Sequence, residues 1–137
     1  MVRVSAGTLN VGTATGNSLH TGTGGTVQIE SGTVNITGRL ENTAGTAIIT
    51  GGTISVCTIG NGASNTGSFH MSTTTNLNMS GGAVVFQRES IAVSPFDLNI
   101  ISGGTKTITG GTFQIGNDFT PVSNVFSVNS AIPVFNF

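Results

Sequence analysis

Apolar and polar residues alternate in short bursts along this chain, and one ten-residue form of the alternation occurs five times. The copies run from Val2 to Val11 (VRVSAGTLNV), Val27 to Ile36 (VQIESGTVNI), Ala47 to Val56 (AIITGGTISV), Leu77 to Phe86 (LNMSGGAVVF) and Lys106 to Ile115 (KTITGGTFQI). Written h-x-h-x-x-G-T-h-x-h, the pattern has four h positions per copy. Nineteen of the twenty are apolar, and Lys106 is the exception. With 36% hydrophobic residues overall, chance would make about seven apolar. Between them sit Arg3, Asn10, Gln28, Asn35, Ser55, Asn78, Thr107 and Gln114, with Ile48 and Val85 breaking the polar rule. An alternation of period two predicts two short strands per copy, each with one buried face.

The motif glycines Gly7, Gly32, Gly52, Gly82 and Gly111 are spaced by 25, 20, 30 and 29 residues. A fixed motif at such a period marks a stack of similar units, none able to bury its apolar face alone. Each unit here is strand, tight glycine turn, strand. The predicted fold is therefore all-β, a parallel β-helix of about five to six rungs with boundaries near 2–26, 27–46, 47–76, 77–105 and 106–137. At strand spacing, five rungs make a body roughly 24 Å long. The chain reads as one solenoid domain over 1–137 and as a segment of a longer protein. The five glycines are expected at the corners, where the backbone bends and positive φ is accessible. Thr8, Thr33, Thr53 and Thr112, with Ala83 in the fourth copy, then form an outward ladder.

The intervals predict the remaining side of each rung. Leu19 is the expected inward anchor of the first return and Leu40 of the second. Ile59, Phe69 and Met71 are candidates in the third, where Phe69-x-Met71 alternates as a strand does. Residues 87–97 hold Arg88, Glu89 and Asp97, and Pro95 bars a central ladder position. Leu98 to Thr105 offers a sixth, imperfect Gly-Gly-Thr, which implies two corners in succession. Beyond Gly116, Val125-x-Ser127 or Phe126-x-Val128 could start a further rung.

Charge narrows the function classes. Only 7% of residues are charged and the net charge is −1, so no basic stripe awaits a phosphate backbone. Nucleic acid is not an expected partner. No apolar run reaches the ~20 residues of a membrane span, and no signal peptide is visible. The single cysteine, Cys57, cannot form an internal disulfide and reads as a small hydrophobe near the core.

Phrases such as ISGGTKTITGGTFQIGN and FSVNSAIPVFNF resemble the repetitive extracellular regions of large Bacteroidota cell-surface proteins exported by the type IX route. The resemblance covers essentially the whole chain. It implies surface display in an adhesive or stalk role, without the C-terminal sorting domain of that family. The expected partners are further rungs of the same chain, other copies end to end, or a surface or glycan target.

A β-helix also invites sugar chemistry, which needs two carboxyl groups facing each other. The five acids are Glu30, Glu41, Glu89, Asp97 and Asp118, and none recurs at an equivalent motif position one rung on. The position of Glu30 is Ser5, Thr50, Ser80 and Thr109 elsewhere. A carbohydrate-active or carbohydrate-binding β-helix is the alternative, favoured if Glu30, Glu89 or Asp97 share a groove. Flat sugar sites use Trp or Tyr, and the chain has neither. The Gly-Gly-x-Gly-x-Asp calcium repeat lacks its Asp in every copy. His20 and His70 fall in different returns without ligand-spaced partners, and are expected as exposed loop residues. No cofactor, metal or catalytic residue is expected, and the class is not an enzyme. The Thr ladder raises an ice-binding face, yet its neighbouring column is Asn10, Asn35, Ser55, Val85 and Gln114, a mixture typical of ordinary surface.

Overall fold

A computed structural model describes residues 1–60, 67–88, 97–116 and 128–130. The first rung is β1 (Val2–Val4), β2 (Thr8–Val11) and β3 (Leu19–Thr21). The second is β4 (Thr26–Ile29), β5 (Thr33–Ile36) and β6 (Leu40–Asn42), and the third is β7 (Thr46–Ile49), β8 (Thr53–Val56) and β9 (Phe69–Met71). In the fourth, β10 (Asn76–Phe86) runs through the glycine corner to serve two faces, and β11 (Leu98–Ile100) forms the third. The fifth repeats this with β12 (Lys106–Ile115) and β13 (Val128–Ser130). Every strand pairing is parallel. The molecule is a three-faced parallel β-solenoid, each face five strands deep. Leu98 to Thr105 does not open a sixth rung. Leu98–Ile100 is the third-face strand, and Gly103 and Gly104, at φ 103° and 59°, turn the chain into β12.

Alternation sets the core. On the first face Val4, Ile29, Ile49 and Met79 stack inward; on the second, Ile36, Val56 and Phe86; on the third, Leu40, Phe69 and Leu98, all buried. Phe113 of the last rung packs edge-on to Phe69, centroids 5.6 Å apart, and tilts over Phe86 at 6.4 Å. Leu19 lies over Leu40 as an inward anchor. Ile59, by contrast, is 47% exposed, because β9 starts only at Phe69 and supplies the third side without it. Val128 belongs to the third face of the fifth rung, over Leu98, and Pro95 and residues 125–127 lie outside the described residues.

One inward column of the third face carries polar residues, Thr21 and Asn42. Asn42 is fully buried at the corner between the third and first faces. Its Oδ1 accepts from Gly45 N at 2.7 Å, and its carbonyl accepts from Ser72 N at 3.0 Å and Thr75 Oγ1 at 2.7 Å. The side chain substitutes for a backbone turn there.

The corner between the first and second faces has constant length, spanning 5–7, 30–32 and 50–52 in the first three rungs. Between the second and third faces the connection varies: 12–18, 37–39, 57–68 and 87–97. Unequal rung lengths are absorbed there. At the constant corner Gly7, Gly32, Gly52, Gly82 and Gly111 have φ of 71°, 77°, 75°, 78° and 97°. A Cβ on Gly52 would also stand 2.8 Å from Gly32 O and 2.9 Å from the Ser31 carbonyl carbon in the rung before, whereas one on Gly7 would meet no atom within 4 Å.

These two positions separate strain from crowding. Gly7→Ala carries only the left-handed backbone cost, about 1–2 kcal/mol. Gly52→Val adds collision with neighbouring main chain and should cost at least about 3 kcal/mol. Asn10→Ser removes one exposed side-chain bond and should change stability by less than about 1 kcal/mol. Chemical unfolding of the three variants checks the order; equal losses at Gly7 and Gly52 would refute the crowding account.

Candidate functional site

Stacking converts one position per strand into a column running the length of the solenoid. The corner ladder is one: Thr8, Thr33, Thr53, Ala83 and Thr112 follow in register along the second face. Beside it run Asn10, Asn35, Ser55, Val85 and Gln114, with Asn35 Nδ2 donating to Asn10 Oδ1 at 2.9 Å. Ser55 and Val85 are buried although they occupy outward positions. Cys57 is buried as well and holds φ at 59°, its amide donating to Gly38 O at 2.6 Å.

On the first face Glu30 is engaged from two sides. Arg3 Nη2 lies 2.8 Å from its Oε2, and Gln28 Nε2 donates to its Oε1 at 2.7 Å. The Glu30 contact raises the pKa of Arg3 through a hydrogen bond and charge attraction. Asp97 stands on the third face, so Glu30 and Asp97 share no groove. Glu89 and Asp118 lie outside the described residues.

The third face carries two polar columns, several of whose members are buried. Register stacks His20, Glu41, His70, Asn99 and Asn129 in one outward column. Just before each of these strands stand Ser18, Arg39, Ser68 and Asp97, linked by Leu19 N to Arg39 O, Leu40 N to Ser68 O and Phe69 N to Asp97 O. Arg39 Nε pairs with Glu41 Oε2 at 2.9 Å, and Asn129 Nδ2 donates to Asn99 Oδ1 at 3.0 Å. The two histidines are strand residues rather than loop residues. His20 is exposed and its Nε2 meets Thr43 Oγ1 at 3.0 Å, while His70 is only 6% exposed. Among the described residues His70 Nδ1 and Ser68 Oγ meet no hydrogen-bond partner. Burial holds the His70 pKa below its ordinary value, with Glu41 pulling it up and Arg39 pushing it down.

Sequence reading located Phe69-x-Met71 as a strand, which already turns His70 outward. Its stacking on Glu41 was not readable, because returns of unequal length separate the two. The arrangement can hold polar groups in a fixed line. Among the described residues no group of three or more His, Cys, Asp or Glu could hold a metal ion. No described helix is long and apolar enough to cross a membrane. No protein-family model, curated protein or solved structure matches the chain.

His70 gives the stack an acid-sensitive element. A ring with a lowered native pKa stays neutral when folded but takes a proton once unfolded, so the unfolded chain binds more protons as pH falls below about 6.5. Stability from this group is fully present above that value and declines below it. His70→Gln should lose less melting temperature than the parent between neutral and mildly acidic pH. Circular-dichroism melts across that interval decide the matter, and identical slopes would clear the ring of the effect.

Proposed function

We propose that this chain is a structural and adhesive repeat module of an extracellular surface protein or fibre, with the rungs as a stiff spacer and the outward columns as contact surface. The observation that carries this reading is the parallel register, in which the inward motif positions lie on their counterparts from rung to rung and the one irregularity, at Ser80 over Gly110, is confined to the corner between β10 and β12. A main-chain ladder in every face resists bending. β-Branched residues, with few rotamers to lose, suit such a surface. The outward residues are mostly Thr, Ser and Asn, so contact with a partner relies on many short neutral donors and acceptors.

One observation favours a carbohydrate-active reading as the second: Glu41 and Asp97 occupy the same face two rungs apart in neighbouring columns, with backbones roughly 12 Å apart at strand spacing. Two facts weigh against it. Asp97 is 2% exposed, and Glu41 is held by Arg39.

Beads coated with the chain, presented to a panel of insoluble polysaccharides and cell surfaces, test both. Retention without release of reducing ends is the expected result. Release of reducing ends that disappears in Glu41→Gln would replace adhesion with hydrolysis. Absence of retention on every surface would remove the adhesive role.

A further inference from the structure

The ten-residue motif places its inward residues symmetrically about its own corner. In the first copy these are Val2, Val4, Leu9 and Val11, so Val2 mirrors Val11 and Val4 mirrors Leu9 across the bend between Ala6 and Gly7. Among the described residues β1 and β2 pair only with β4 and β5. Val2, Leu9 and Val11 are half-buried, whereas their counterparts one rung in, Val27, Val34 and Ile36, are 0% exposed. Val2, Val4, Ala6 and Leu9 help line an open cleft of about 410 Å³. The corner beside it is open too, since a Cβ on Gly7 would meet no atom within 4 Å.

We propose that the first rung is a pairing surface whose occupant is the first rung of a second copy, turned over by a two-fold axis through this corner. Turning a rung over reverses its strands, so β1 of one copy runs antiparallel to β2 of the other. The mirrored pattern then sets Val2 opposite Val11 and Val4 opposite Leu9, twice over, and every one of these contacts is apolar on apolar. Residues directly opposite in an antiparallel pair share a face, so all four stay inward. Charge agrees with this axis. The exposed Arg3 comes opposite the neutral Asn10 of the second copy, whereas an axis through β1 would set Arg3 on Arg3, and like charges directly opposite are destabilising. Because one patch serves both copies, the assembly closes at two. The pairing uses the end of the stack and not its outward columns, so it stands or falls independently of adhesion.

Sedimentation velocity across a concentration series should show single chains converting to pairs and to nothing larger. Arg3→Cys and Asn10→Cys chains, mixed under mild oxidation, should join through a disulfide between position 3 of one copy and position 10 of the other. Neither variant alone should cross-link at a comparable rate, because the native Cys57 is buried. Asn10→Arg, a change at an exposed side chain, brings a like charge over Arg3 on both sides of the axis and should weaken pairing about tenfold, while Asn10→Asp should tighten it. Three results would overturn the proposal. They are folded chains that stay single at every concentration, species that grow beyond the pair, and cross-links that form as fast in either cysteine variant alone, which would move the axis into β1 or β2.

Discussion

The structure depends on a hydrogen bond placed where the chain bends. Thr33 N donates to Gly7 O at 2.8 Å, Thr53 N to Gly32 O at 2.9 Å and Ala83 N to Gly52 O at 2.9 Å, so the ladder continues through the corner instead of stopping at it. Only a residue without Cβ lets successive rungs approach this closely in a left-handed conformation. Because those carbonyls stay in line, the strands on either side keep their register, and each inward side chain lands on the one below. The apolar column is thus a consequence of the corner as much as of the alternation. A one-residue slip would turn every inward side chain outward.

The fold was legible in the sequence wherever this corner occurs. Val27, Ile29, Val34 and Ile36 with their glycine define both strands of a rung without help from other rungs. The third face has no such motif. Leu19, Leu40 and Phe69 each mark it by one apolar residue, and the Gly-Gly-Thr at 103–105 imitates a corner that the structure uses as a turn into β12. The polar column of His20, Glu41, His70 and Asn99 was hidden for the same reason. Its members align only after connections of different length have been folded away. Lys106 stood out as an exception in the pattern, but its acceptors, Thr75 and Gly103, belong to the preceding turn and no motif predicts them.

Polarity is distributed according to what water can reach. Outward columns use neutral side chains that bond along the stack, as Asn35 does to Asn10 and Asn129 to the buried Asn99. Like charges one rung apart would repel at strand spacing, whereas amides have a donor and an acceptor and can pass bonds from rung to rung. Two ion pairs among the described residues differ in reach: Arg39 meets Glu41 within one rung, and Arg3 spans to Glu30 in the next. Asn42, at the interior corner, uses the same amide chemistry to replace main-chain partners.

The unequal connections between the second and third faces have a different kind of consequence. Across 12–18, 37–39, 57–68 and 87–97 the length changes severalfold while the strands on both sides remain in parallel register. Selection can therefore rewrite sequence at that corner without renegotiating the stack, because loop-closure entropy rises only slowly with length. The solenoid separates the part of the chain that must stay constant from a row of sites where novelty is cheap. A foreign peptide grafted into any one of them would be displayed at a fixed height along the axis, like a peg on a ruled bar.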